Sequence, residues 1–79
     1  MKSYKNYYHK YDSCYATVED KCKAGVFITL DNQQIAFVRD FFGVKKGTRV
    51  LCTIIKESTD RRRPLAAIDA VLDDFEMAA

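Results

Sequence analysis

The stretch Val26-Phe27-Ile28-Thr29-Leu30 and the run Ile35-Ala36-Phe37-Val38 just after it constrain this chain more than any other feature. In the first, Val26, Ile28 and Leu30 share one face of an extended strand, and Phe27 and Thr29 share the other. Asp31-Asn32 lies between the runs and is a turn signal, because these short side chains bond their own backbone. The two runs therefore pair as a β-hairpin.

Further strand signals lie on both sides. Tyr11 to Glu19 carries the β-formers Tyr15, Thr17 and Val18, and Asp20 to Gly25 is a charged turn. Arg39 to Val44 is too irregular for a strand and reads as a short helical turn, followed by the tight basic turn Lys45-Lys46-Gly47-Thr48. From Arg49 to Lys56, Val50, Cys52 and Ile54 alternate with Leu51, Thr53 and Ile55, so both faces are apolar and a strand buried on both sides is expected. Glu57 to Arg63 is a polar loop ending in three arginines. After Pro64 the residues admit two readings. Either Leu65 to Ile68 is a short strand followed by a helical turn through Val71, Leu72 and Phe75, or Pro64 opens a helix with Leu65, Ile68, Leu72 and Phe75 on one stripe. The strand followed by the helical turn is preferred.

Five short strands in 79 residues specify an all-β fold, a small closed or partly closed barrel with a short C-terminal helix. A chain of this length hides only about 60% of its unfolded surface, so there is room for one core. The expected core is Val18, Val26, Ile28, Leu30, Val50, Cys52 and Ile54. A sandwich needs more strands, and a small SH3-like barrel is the structural competitor. Residues 1–10 are read as a partly disordered arm and residues 11–79 as a single barrel domain with an acidic C-terminal helical turn. All five tyrosines fall within the first 15 positions, among Lys2, Lys5 and Lys10, where rings either stack on bases or cover one end of the domain. No stretch approaches the roughly 20 apolar residues of a membrane span, and no apolar signal core stands near Met1. A cytoplasmic protein with no membrane partner is expected.

The net charge of +2 hides an asymmetry. Asp69, Asp73, Asp74 and Glu76 close the chain without a base among them, so residues 1–68 carry 13 bases against 7 acids. A basic body with an acidic end points to an anionic partner, nucleic acid foremost, with the acidic end placed to mask the basic face. Cys14, Cys22 and Cys52 form no C-x-x-C pair and His9 is the only histidine, so neither a metal nor another cofactor is expected. The chain has no nucleophile elbow, phosphate-cradling glycine loop or H-E-x-x-H, and a non-enzymatic role follows.

The segment Ala16 to Ile68 resembles the ribosomal-protein S-one type of RNA-binding domain, an OB-fold. Ala16-Thr17-Val18 stands where that family opens with a small residue two before a valine, and Gly25-Val26-Phe27-Ile28 matches its glycine-led strand. Ala36-Phe37-Val38-Arg39 takes the place of a glycine-leucine-valine-histidine strand, and Lys46-Gly47-Thr48-Arg49-Val50-Leu51-Cys52-Thr53-Ile54 matches the later strand of alternating valines. Ala36 departs from the family glycine, Arg39 from its histidine, and Ala24 from an often aromatic position. The connection from Val38 to Gly47 is also shorter than the family's. The resemblance implies a base-stacking phenylalanine at Phe27 and a ligand contact at Arg39.

The residues agree with that implication in part. Strand parity points Phe27 away from the core, where an exposed ring can stack on a base. Phe37 is assigned to the core. Arg61 and Arg63, in the loop entering the last strand, supply phosphate contacts together with Arg39 and Lys23. The expected function is non-catalytic binding of single-stranded nucleic acid, RNA in preference to DNA. The alternative is a protein-interaction or structural module on the same barrel.

Overall fold

The computed structural model describes residues 7–72. Five strands, β1 (Ser13–Cys22), β2 (Gly25–Leu30), β3 (Ile35–Arg39), β4 (Arg49–Lys56) and β5 (Leu65–Leu72), close into a barrel in the order β1-β2-β3-β5-β4. All neighbours are antiparallel except β3 and β5, which run parallel and pair at Phe37 and Leu65.

β1 makes closure possible. Its first half pairs with β4 from Ser13↔Thr53 to Thr17↔Arg49, and from Ala16 onward it pairs with β2. A bulge between Val18 and Asp20 leaves Glu19 as an extra residue. Bulges sharpen the bend and twist of a strand, which lets one strand border both neighbours.

Alternate residues of β2, β3 and β4, and of β1 up to Val18, point inward. Val18, Val26, Ile28, Leu30, Val50, Cys52 and Ile54 are the largest fully buried side chains, the same set that alternation in the sequence selects. Ala16, Ala36, Val38 and Ala66 fill the space between them, and Phe41 and Ile68 pack against the cluster. Full burial of a Val, Leu or Ile contributes about 1.5–3 kcal/mol, so these side chains account for most of the cohesion of so small a domain.

Each end of the barrel is plugged by a side chain from outside the strands. At one end Tyr8 is buried and its hydroxyl donates to Asp31 in the β2–β3 turn. The chain around it is strapped to β4: Tyr11 N–H donates to Ile54 O (2.7 Å), and Lys10 N–H to Glu57 Oε2 (3.0 Å). Tyr8 belongs to the stretch read as an arm, and it covers one end of the domain. Tyr7, Tyr11 and Tyr15 are exposed, and residues 1–6 lie outside the described residues. At the opposite end the β3–β4 connection buries Val44.

Three expectations are corrected. The helical turn over 39–44 does not form: Arg39 completes β3, and the connection turns at Gly43 and Gly47, both in the left-handed region. β4 is not buried on both sides, because a barrel has one interior. Leu51 and Thr53 are half-buried on its outer wall, and Ile55 is exposed.

The third concerns the start of the C-terminal helical turn, at Val71 and Leu72. β5 continues as a strand, with Val71 opposite Val50 and Leu72 opposite Arg49. The ladder shifts between Leu51/Ala70 and Cys52/Ile68, leaving Asp69 as an extra residue. An inserted residue turns the two-residue period of a strand into a spacing of three, which in sequence imitates one face of a helix. β4 pairs with β5 along its whole length, from Arg49↔Leu72 to Lys56↔Leu65, which holds Val71 and Leu72 in the sheet. Phe75, with residues 73–79, lies outside the described residues.

Candidate nucleic-acid interface

The outer wall of β2 and β3 carries an aromatic pair. Phe27 and Phe37 are direct cross-strand partners, and their rings meet at 4.9 Å between centroids with a 50° tilt. Both are half-buried and face away from the core. Phe37 is thus not a core residue, contrary to the sequence-based assignment. Ala36 and Val38 occupy the inward positions of β3, and parity with exposed Arg39 was the signal that Phe37 points out.

Charge brackets the pair along β3. Gly25 lies opposite Arg39 where β2 begins and β3 ends, and Asp40 N–H donates to Ala24 O (2.7 Å), holding the β1–β2 turn against this end. Lys23 and Arg39 are both exposed here. Gly25 is needed because a β-carbon there would sit 1.9 Å from the Val38 carbonyl oxygen.

The arginine loop lies towards the other end. Phe37 N–H donates to Pro64 O (3.0 Å), which places the loop's exit beside the aromatic pair. A turn closed by Thr59 N–H to Arg62 O (2.8 Å) shapes the loop tip, and Arg61 N–H donates to Thr59 Oγ1 (3.1 Å). Gln34 Nε2 donates to Ser58 Oγ (3.2 Å), tying the loop to the β2–β3 turn.

The three arginines are then put to different uses. Arg62 turns back and donates to the Glu57 carbonyl (3.1 Å). Arg63 lies over Phe27, with its guanidinium carbon 5.1 Å from the ring centroid. All three arginines, with Asp60 beside them, line an open groove of about 640 Å³ together with Tyr7, Gln34 and Ile35, and Arg61 is the one given neither of those other contacts. Tyr7, 66% exposed, and Ile35, 44% exposed, extend the surface beyond the residues that sequence reasoning selected. The clustering of tyrosines and lysines near the start was the only sequence signal for Tyr7, and it does not distinguish Tyr7 from buried Tyr8.

Phe27, Arg63 and Phe37 thus form one continuous patch, with Arg39 and Lys23 at its far end and Arg61 in the adjoining groove. Planar apolar surface beside positive charge suits a chain of stacked rings joined by phosphates. Among the described residues, no group of His, Cys, Asp and Glu side chains is arranged to hold a metal ion. No helix of the described residues is long and apolar enough to cross a membrane. No protein-family model matches this chain, and no curated protein matches it either.

Proposed function

We propose that this chain is an OB-type module of the S-one kind that binds single-stranded nucleic acid, RNA in preference to DNA, without catalysis or cofactor. The observation that carries the reading is the outward Phe27–Phe37 pair, bracketed by Lys23 and Arg39 on one side and Arg61 and Arg63 on the other. OB barrels bind oligonucleotides over strands 2 and 3, between the first and last inter-strand loops. The parallel β3–β5 contact and the closing order β1-β2-β3-β5-β4 support that comparison. Bases stack on the aromatic patch at roughly 1–3 kcal/mol each, and the guanidiniums and Lys23 hold the phosphates. Stacking on ring faces and charge on phosphates read no base edge, so binding has little sequence preference.

Titration with a short single-stranded RNA at several salt concentrations tests the reading. Phe27→Ala and Phe37→Ala should lower affinity while leaving the slope of log affinity against log salt nearly constant. Arg61→Ala should flatten that slope by about 0.7, the value for one phosphate contact on a single strand. Arg62→Ala should flatten it less, since that guanidinium is already held by the Glu57 carbonyl. A parent protein that binds neither RNA nor DNA single strands at low salt would overturn the proposal in favour of the protein-interaction module.

A further inference from the structure

Two thiols face each other inside the barrel, and nothing in the binding surface uses them. Cys14 on β1 and Cys52 on β4 are direct cross-strand partners, both buried, with their sulfurs 3.7 Å apart. They lie 38 positions apart in sequence, so their meeting is a product of the fold. The third thiol, Cys22, is exposed at the end of β1 and pairs with Gly25 instead.

We propose that Cys14 and Cys52 are a reversible disulfide modification site that staples β1 to β4. Opposed residues of an antiparallel pair have Cα atoms about 4.5–5.5 Å apart, within the span a disulfide bridges. The sulfurs must close from 3.7 Å to about 2.05 Å, a movement that side-chain rotation supplies without changing the register. The Cys52 S–H already points towards β1, with its sulfur 3.4 Å from the Cys14 carbonyl oxygen.

Access runs through the Tyr8 end. Tyr8 is buried in the same cluster as Cys14 and is held by a strap outside the barrel strands, so loosening of that strap opens the core at the Cys14 end of β1. The oxidant is a small peroxide, which enters where a bulky disulfide reagent does not. The Cys14 thiolate attacks one peroxide oxygen, the O–O bond breaks, and a sulfenic acid and hydroxide result, the hydroxide taking the proton that the Cys14 thiol had released to become the first water. The Cys52 sulfur then attacks the Cys14 sulfur, the S–O bond breaks, and the departing hydroxide takes the Cys52 proton as a second water. Two thiols and one hydrogen peroxide thus give one disulfide and two waters. A dithiol reductant reverses the step by thiol–disulfide exchange.

Cys22→Ser isolates the pair and removes crosslinking between molecules. The reduced variant is treated with hydrogen peroxide, alkylated in denaturant, digested and mapped by mass spectrometry. A Cys14–Cys52 crosslinked peptide, lost after dithiothreitol, is expected. The oxidised variant should melt at a higher temperature than its reduced form, because the crosslink restricts the unfolded chain. Cys52→Ser in the same background should form no crosslink and should leave a Cys14 sulfenic acid that dimedone traps. The proposal is overturned if Cys14 and Cys52 are both alkylated after peroxide treatment, or if they oxidise separately to sulfinic acids. It is independent of nucleic-acid binding and survives or fails without it.

Discussion

The Arg63 guanidinium lies over the face of Phe27, 5.1 Å from its ring centroid, so the aromatic patch and the basic loop are one surface. On the proposed function, a base arriving here would meet the guanidinium plane over β2 and the Phe37 ring over β3. Arginine stacks as readily as it pairs with phosphate, because its charge is spread over a flat group, whereas lysine is a compact point charge.

Replacing each arginine by lysine therefore separates the two uses. Arg63→Lys keeps the charge and loses the plane, and single-strand affinity should fall by about 1–3 kcal/mol with an unchanged salt slope. Arg61→Lys keeps what a phosphate contact needs and should bind within a few-fold of the parent. Equal losses for the two lysine variants, measured by fluorescence titration, would show that Arg63 acts as charge alone.

Ile28 tests the barrel interior. It is fully buried between Val18 across β1 and Ala36 across β3. Ile28→Ala should cost about 2–5 kcal/mol in urea denaturation, combining lost transfer energy with the cavity left behind. Such a loss is a large share of a typical domain stability of about 5–15 kcal/mol. A variant as stable as the parent would mean that the strand register is wrong.

This core was legible because two-residue alternation survives along β2 and β4, and every inward position there is apolar. Legibility stops where the period breaks. The extra residue at Asp69 made β5 read as strand then helix, and the contact of Thr53 Oγ1 with Asp69 Oδ2 (2.5 Å) that accompanies the bulge depends on β4. At Phe37 the alternation of β3 points outward while the ring's hydrophobicity points inward, and the barrel follows the alternation. The division of labour among Arg61, Arg62 and Arg63 was out of reach, because it is set by the Glu57 carbonyl and the Phe27 ring, which only the folded loop brings near.

Gly25 tests how the Arg39 end of the β2–β3 wall is built. A β-carbon at this position would fall 1.9 Å from the Val38 carbonyl oxygen and 3.1 Å from the Arg39 Cα, both rigid backbone. Gly25→Ala must push β3 away from β2 or flatten the turn, at a cost we place at about 2 kcal/mol or more, as for other overpacked sites. Since Arg39 lies opposite Gly25, the displacement should also weaken single-strand binding beyond the effect of lost folding. Thermal melts and titration below the melting range would separate the two, and unchanged melting would refute the close approach.

Tyr8 gives the domain a dependence on alkaline pH. Burial first, and then the hydrogen bond it donates to Asp31, hold the phenol proton on well above the ordinary value of 10.0. A raised folded-state pKa means that the stability Tyr8 contributes is intact below about pH 10, where folded and unfolded chains are both protonated. Above that the unfolded chain releases the proton and the folded one does not. Stability then declines by about 1.4 kcal/mol per pH unit from this single group, until the folded-state pKa is passed. Tyr8→Phe has no proton to lose. It should be less stable than the parent near neutrality, by about 1.5–3 kcal/mol for a hydrogen bond to a carboxylate, with the lower end expected because Asp31 is half-exposed. Between about pH 8 and about pH 11 the parent should lose more stability than the variant, so the two denaturation midpoints converge as pH rises. Parallel decline of both proteins in urea melts across that range would show that the fold does not hold the Tyr8 proton.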